Sequence, residues 1–191
     1  MLGNNIYCIE GDWEEDLRKK TSILSGLEML TSISKKEFIY KTCATEEELL
    51  NRLTDYVAHS HKPRAKYKTY DILYLATHGK KGSLNFNGSV DILDFFVENG
   101  NFYDGAFKDK IIHFGSCLTM KMKETDIDRL KHFTGAKIIS GYTKSIAFLD
   151  STLFDVLYFN ACEAYKSKRG VEEYLHKRFG GFCNDLGFVI Y

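Results

Sequence analysis

The sequence predicts an α/β fold, a three-layer sandwich in which a mostly parallel sheet of about six strands carries helices on both faces. Two observations predict it. Short runs rich in β-branched and aromatic residues alternate with segments of helical periodicity along most of the chain, the order that a parallel sheet with crossover helices produces. Two of those runs, Tyr70 to Thr77 and Ile111 to Phe114, are almost continuously apolar, as central strands covered on both faces must be.

The strands are placed near Ile6 to Glu10, Glu37 to Cys43, Asp71 to Thr77, Lys110 to Ser116, Ala136 to Gly141 and Gly187 to Tyr191. A first helix is expected from Leu17 to Ser32, although Ser25-Gly26 inside it opposes helix formation. Thr45, followed three residues later by Glu48, is a capping box that opens a second helix running to Val57. A third is expected from Asp126 to Phe133, stopped by Gly135. The longest, from Ser151 to Tyr165, places Leu153, Phe154, Leu157, Tyr158, Ala161, Cys162 and Tyr165 at helical spacing, which reads as core packing. Between the second and third, Gly82 to Gly88 suggests a hairpin and Val90 to Glu98 a short helix. The polar segment His59 to Thr69, with the only proline, Pro63, reads as an exposed loop.

With 191 residues, the chain suffices for one well-buried domain, taken as residues 1–191, and is short for two. Hydrophobic residues make up 44% and charged residues 27%, which excludes a disordered chain. A formal net charge of zero removes the field on which non-specific nucleic-acid binding depends, so no nucleic-acid partner is expected. No apolar run reaches the roughly 18 residues that span a bilayer, and the opening Met1-Leu2-Gly3-Asn4-Asn5 lacks the basic start and apolar centre of a secretion signal. The expectation is a cytoplasmic protein with no membrane association. Five cysteines (Cys8, Cys43, Cys117, Cys162, Cys183) are an odd count without a CxxC pair, so neither a disulfide framework nor a zinc ribbon is indicated. No metal and no cofactor are expected.

Two residues stand where chemistry collects in such sheets. His78-Gly79 follows directly on one apolar strand and Gly115-Ser116-Cys117 on another, and ligands of open α/β sheets bind beyond the carboxyl ends of the strands. If the two strands are neighbours, imidazole and thiol share one crevice. A cysteine nucleophile needs such a partner, because its thiolate is the reactive form and a free thiol near pKa 8.5 holds little of it at neutral pH. The amides of Gly79 and Cys117 are candidate donors to a developing oxyanion. Other histidines carry less. His113, inside an apolar strand, reads as a satisfied core residue; His59 and His61 share a loop without a second ligand pair; His132 and His176 read as surface positions on helices. Cys8, Cys43, Cys162 and Cys183 fit apolar packing. Asp71 opens the strand that His78 closes and stands at the wrong end to orient the imidazole. The other acidic residues read as solvated helix faces. GxSxG, P-loop and GxGxxG motifs are absent.

The blocks Leu73-Tyr74-Leu75-Ala76-Thr77-His78-Gly79 and Ile111-Ile112-His113-Phe114-Gly115-Ser116-Cys117 resemble the His-Gly and strand-end Cys blocks of caspase-like (clan CD) cysteine peptidases. The strand Gly135-Ala136-Lys137-Ile138-Ile139-Ser140-Gly141-Tyr142 and the Phe-rich helix after it are similar to the CHAT branch of that clan. The likeness covers roughly Tyr70 to Tyr165. It departs from the caspase signature in two ways: the interval from His to Cys is shorter than about 50 residues, and the tripeptide is Gly-Ser-Cys instead of Gln-Ala-Cys. The whole chain also resembles an uncharacterised bacterial family in which Cys8-Ile9-Glu10-Gly11-Asp12-Trp13 recurs.

The resemblance implies a caspase-like fold and a cysteine endopeptidase acting on protein or peptide substrates, with Cys117 as nucleophile and His78 as general base and acid. It also implies a regulatory protein partner and a role in bacterial defence or programmed death. In this clan the pocket for the residue before the cut is partly built by the loop after the fifth strand, here Tyr142 to Asp150. Ser116, Tyr142 and Asp150 are therefore candidate pocket residues, with Asp150 open to the competing reading of a helix N-cap. Two alternatives remain: a catalytically silent caspase-like module that binds a protein partner, and a flavodoxin-like or receiver-like binding domain.

Overall fold

The computed structural model describes residues 5–14, 16, 18–58, 62–98 and 103–191. His59, His61 and Leu17, each given a place above, lie outside them. Six strands form the central sheet: β1 (Asn5–Glu10), β2 (Phe38–Thr42), β5 (Tyr70–Ala76), β9 (Ile111–Phe114), β10 (Ile138–Tyr142) and β11 (Phe188–Ile190). Their spatial order is β11-β10-β9-β5-β1-β2, and every pair is parallel except β10 with β11. From β1 the chain moves first to β2 on one side and then to β5 on the other. The order therefore reverses at the β1/β5 boundary, where the ends of neighbouring strands splay apart and leave a crevice.

Strand alternation builds the two cores. Tyr7, Ile9, Leu73, Leu75, Ile112 and Phe114 point to one face, where α2 (Glu46–Tyr56), α3 (Ile92–Glu98) and α4 (Glu124–Thr134) cover them. Ile6, Cys8, Ile72, Tyr74, Ala76 and Ile111 point to the other, beneath α1 (Leu24–Ile33), α5 (Phe148–Ala164) and α6 (Lys168–Leu186). A two-residue pairing of β3 (Val57–Ala58) with β4 (Lys62–Pro63) and a three-stranded ribbon of β6 (Gly79–Lys80), β7 (Ser83–Asn85) and β8 (Ser89–Asp91) stand apart from the sheet. The ribbon contains the expected hairpin, with Asn87 at φ 50° in its turn.

The capping box at Thr45 forms, its hydroxyl accepting from Glu48 N at 3.2 Å, while the Glu48 carboxylate accepts from Ala44 N at 2.6 Å. Gly135 ends α4 in the left-handed region at φ 68°. Several expectations are corrected. The first helix begins at Leu24 instead of Leu17, because the Glu10 carboxylate takes the Ile23 N–H at 2.7 Å and the Ser22 hydroxyl at 2.6 Å, fixing where the helix starts. Gly26 belongs inside it: a Cβ there would lie 2.7 Å from Thr152 Cγ2, so the glycine lets α1 close onto α5. The long helix begins at Phe148, its N-cap position is Ala147, and Asp150 sits exposed in the first turn as a favourable charge instead of a cap. Leu153 is 42% exposed and outside the core. Helix α6, broken at Phe179 (φ −133°) and capped by the Ser167 hydroxyl on Gly170 N at 3.1 Å, had no boundaries from sequence. Gly180-Gly181 lowers helix propensity there, and the packing of Val171, Leu175, Cys183 and Leu186 overrides it.

Not every acidic residue is solvated. Asp155 on α5 is 3% exposed and accepts from three donors: His113 Nε2 at 2.8 Å, Tyr74 Oη at 2.5 Å and Tyr142 Oη. His113 Nδ1 meets Ser140 Oγ at 3.0 Å, and Ser140 Oγ in turn meets Tyr158 Oη at 2.9 Å. His113 is thus the satisfied core histidine expected, within a polar network that joins β5, β9, β10 and α5.

Candidate active site

Strands β5 and β9 are hydrogen-bonded neighbours in register Leu75 with Phe114. His78 leaves β5 two residues after its last residue, Ala76, and Cys117 leaves β9 three residues after Phe114. The two turns are tied together. Gly115 N donates to Leu75 O at 2.9 Å, and Thr77 N donates to Ser116 Oγ at 3.3 Å. A Cβ on Gly79 would stand 2.5 Å from Cys117 O and 2.8 Å from Ser116 Cβ, so glycine is needed for the turns to touch. Asn85 N donates to His78 O at 2.9 Å; by the alternation of an antiparallel ladder, the next N–H, that of Gly79, points out of the ribbon.

The His78 ring is exposed yet held. Its Nε2 lies 2.6 Å from Trp13 O, and since a carbonyl only accepts, Nε2 carries the proton. In the neutral ring the basic lone pair is then on Nδ1. The Trp13 indole meets the imidazole edge-on, with ring centroids 5.3 Å apart, and meets Phe148 in the same manner at 5.0 Å. Beside it, a cavity of about 310 Å³ has Asp12, Glu14, Phe86 and His78 among its walls. The Glu14 carboxyl is held below the usual carboxylate range by hydrogen bonds from Thr21 and Lys19, with the Lys19 and His78 charges adding to them.

Cys117 is half-buried, whereas Cys8, Cys43, Cys162 and Cys183 are buried. Its sulfur is paired with the loop after β10: Sγ donates to Ile146 O at 3.5 Å, and Ile146 N donates to Sγ at 3.4 Å. The loop is anchored by Leu118 N to Lys144 O and Met120 N to Tyr142 O, each 3.0 Å.

The structure therefore brings Gly79, Ser116 and Cys117 together, with His78 as the residue before Gly79. Ser116 and Tyr142 turn inward, 1% and 0% exposed, the first clamping the two turns and the second bound to Asp155. Asp150 is exposed on α5. Asp71 pairs with Lys110 at 2.6 Å at the far end of the strands. Among the described residues no group of His, Cys, Asp and Glu is arranged to hold a metal ion, and no helix is long and apolar enough to cross a membrane. Sequence reasoning missed Trp13 O and the Ile146 backbone, since main-chain contacts leave no residue-type signature. The Glu10-to-Trp13 motif was the one available signal for the first.

Replacing Gly79 by Ala is expected to push the Cys117 turn away from His78 and to slow alkylation of Cys117 by a peptidyl acyloxymethyl ketone, in which sulfur displaces the carboxylate to form a thioether, about 100-fold, a cost that an ångström-scale displacement can carry. The overpacking costs about 1 to 3 kcal/mol of stability. An unchanged alkylation rate in the folded variant would show that the close approach of the turns has no bearing on reactivity.

Among the solved structures that share this architecture are the following two. One is a secreted C11 cysteine protease from Bacteroides thetaiotaomicron in complex with an irreversible peptide inhibitor, at a TM-score of 0.58 and 14% identity; the match covers 94% of this chain but 59% of that one. The other is the Drosophila initiator caspase Dronc, at a TM-score of 0.56 and 9% identity, covering 98% of this chain and 78% of that one. The fold is thus the caspase-like α/β sandwich of these two structures. No curated protein sequence matches the chain. Residues 3–191 match the model of a family of unknown function, DUF6642, and the chain belongs to that family.

Proposed function

We propose that this member of the DUF6642 family is a cysteine endopeptidase in which Cys117 is the nucleophile and His78 the general base and acid. The observation that carries the reading is the meeting of the two turns: His78 and Cys117 at the ends of adjacent strands, with Gly79 lying against Cys117 O. Nδ1 of His78 takes the thiol proton as sulfur attacks the scissile carbonyl, and returns it to the leaving amine as the tetrahedral intermediate collapses to a thioester. Water, deprotonated by the same nitrogen, then releases the acid. The amides of Gly79 and Cys117 are the proposed oxyanion donors, a contribution of about 3 to 4 kcal/mol for each such group. The substrates are proteins or peptides, and the clan resemblance suggests a setting in bacterial defence or programmed death with a regulatory partner.

A second reading, a silent module that binds a partner, is favoured by one observation: the thiol is hydrogen-bonded to Ile146 and not to His78. The two readings separate in a screen of peptide and protein substrates with wild type, Cys117→Ala and His78→Ala. Cleavage that falls at least about 1,000-fold in both variants supports the peptidase. Cleavage that survives Cys117→Ala, or its absence for every substrate together with no covalent capture of Cys117 by peptidyl ketones, defeats it.

A further inference from the structure

The motif Glu10-Gly11-Asp12-Trp13 enters the chemistry above only through the Trp13 main-chain carbonyl, and its side chains point to more: we infer that Glu10 and Trp13 are positioning residues that hold His78 in the tautomer and orientation catalysis needs. Glu10 ends β1 at the switch point and is 2% exposed. Its carboxylate accepts from four donors: Trp13 Nε1, Ile23 N at 2.7 Å, Ser22 Oγ at 2.6 Å and Tyr40 Oη at 2.5 Å. Four donors satisfy the oxygens of one buried carboxylate. Burial, followed by the hydrogen bond to Glu10, pushes the Tyr40 phenol up to about 12, so it remains a donor at neutral pH.

The indole is thereby fixed at its N–H end. It meets the imidazole and Phe148 each at a steep interplanar angle, and the carbonyl of the same residue receives the Nε2 proton. Gly11 permits this path: its amide bonds Ala76 O at 2.8 Å, and a Cβ would collide with Thr77 Oγ1 and lie 2.8 Å from Thr77 Cβ. The post-β1 segment is therefore pressed onto the residue preceding His78. Trp13 touches both sides of the site, His78 from β5 and Phe148 from the helix that follows the Cys117-binding loop.

The activity arm of the test rests on the peptidase reading, and the spectroscopic arm does not. Trp13→Phe keeps a ring against His78 and removes the N–H; Glu10→Gln keeps the shape and an acceptor, and serves as the milder variant. In 1H–15N two-bond correlation spectra, wild-type His78 is expected to show the Nε2–H tautomer alone, and Trp13→Phe a mixture of tautomers. On a cleaved peptide, Trp13→Phe is expected to lower kcat about tenfold with KM within twofold, and Glu10→Gln to fall between it and wild type. A merely structural role would lower melting temperature and leave the tautomer unchanged. A single Nε2–H tautomer in folded Trp13→Phe, or a loss confined to KM, overturns the inference. If the tautomer mixes while Cys117→Ala proves as active as wild type, the positioning stands and the peptidase reading fails.

Discussion

Iodoacetamide at about pH 7.5 is expected to alkylate one of the five thiols, Cys117, with a stoichiometry close to one per chain. The other four are buried, and burial raises the pKa of each thiol. Cys43 is pushed to about 11, Cys162 to about 12, Cys8 well above its ordinary value, and Cys183 upward. The thiolate is the nucleophile, so these groups offer almost none of it near neutrality and no path for the reagent. Peptide mapping by mass spectrometry reads the site directly. Labelling spread evenly over the five cysteines of folded protein would contradict the burial on which the assignment rests.

The same shifts set an alkaline limit. A thiol whose folded pKa is raised contributes stability below its unfolded value, near 9, and loses it as the pH climbs toward the folded value. Above about pH 9 the unfolded chain sheds protons that folded Cys43 and Cys162 retain to about 11 and 12. Stability therefore falls with rising pH, and labelling of the buried thiols should appear together with unfolding.

Replacement of Asp155 by Ala is expected to be the most destabilising single change of those considered, at about 3 to 5 kcal/mol by urea denaturation, the cost of breaking a buried polar pair by removing one partner. The carboxylate is 3% exposed and accepts from His113, Tyr74 and Tyr142; without it three buried donors lose their acceptor at once. Gly115 lies against the same group, where a Cβ would stand 3.0 Å from Asp155 Oδ2 and 2.8 Å from the Tyr74 hydroxyl. The turn carrying Cys117 thus rests on this network. Asp155→Asn keeps one acceptor and is expected to cost less. A loss below about 1 kcal/mol for Asp155→Ala would mean that water fills the gap and satisfies the three donors.

Much of the fold is legible in the residues because local pattern and burial agree there. The Val-, Ile- and aromatic-rich runs become strands within two residues of their expected ends, since a strand buried on both faces must be apolar throughout. Thr45-x-x-Glu48 caps α2, and Gly135 stops α4, because those side-chain and backbone preferences act over a few residues. Elements fixed by distant partners escape such reading. Helix α1 starts where Glu10 fixes it, thirteen residues from Ile23, and α6 persists through Gly180-Gly181 because its apolar face closes one side of the sheet. Asp155 looks like any helix-surface acid until Tyr74, 81 positions away, is seen to donate to it.

The site divides along the same line. The amino-acid sequence by itself determined that a His-Gly and a Ser-Cys would each follow a central strand, because alternation, apolarity and glycine placement are local properties. Only the tertiary structure decided that β5 and β9 are adjacent, that Trp13 O takes the His78 proton and that Ile146 holds the Cys117 sulfur. Strand order and main-chain hydrogen bonds arise from the packing of whole layers, and a backbone carbonyl is chemically the same whichever residue bears it.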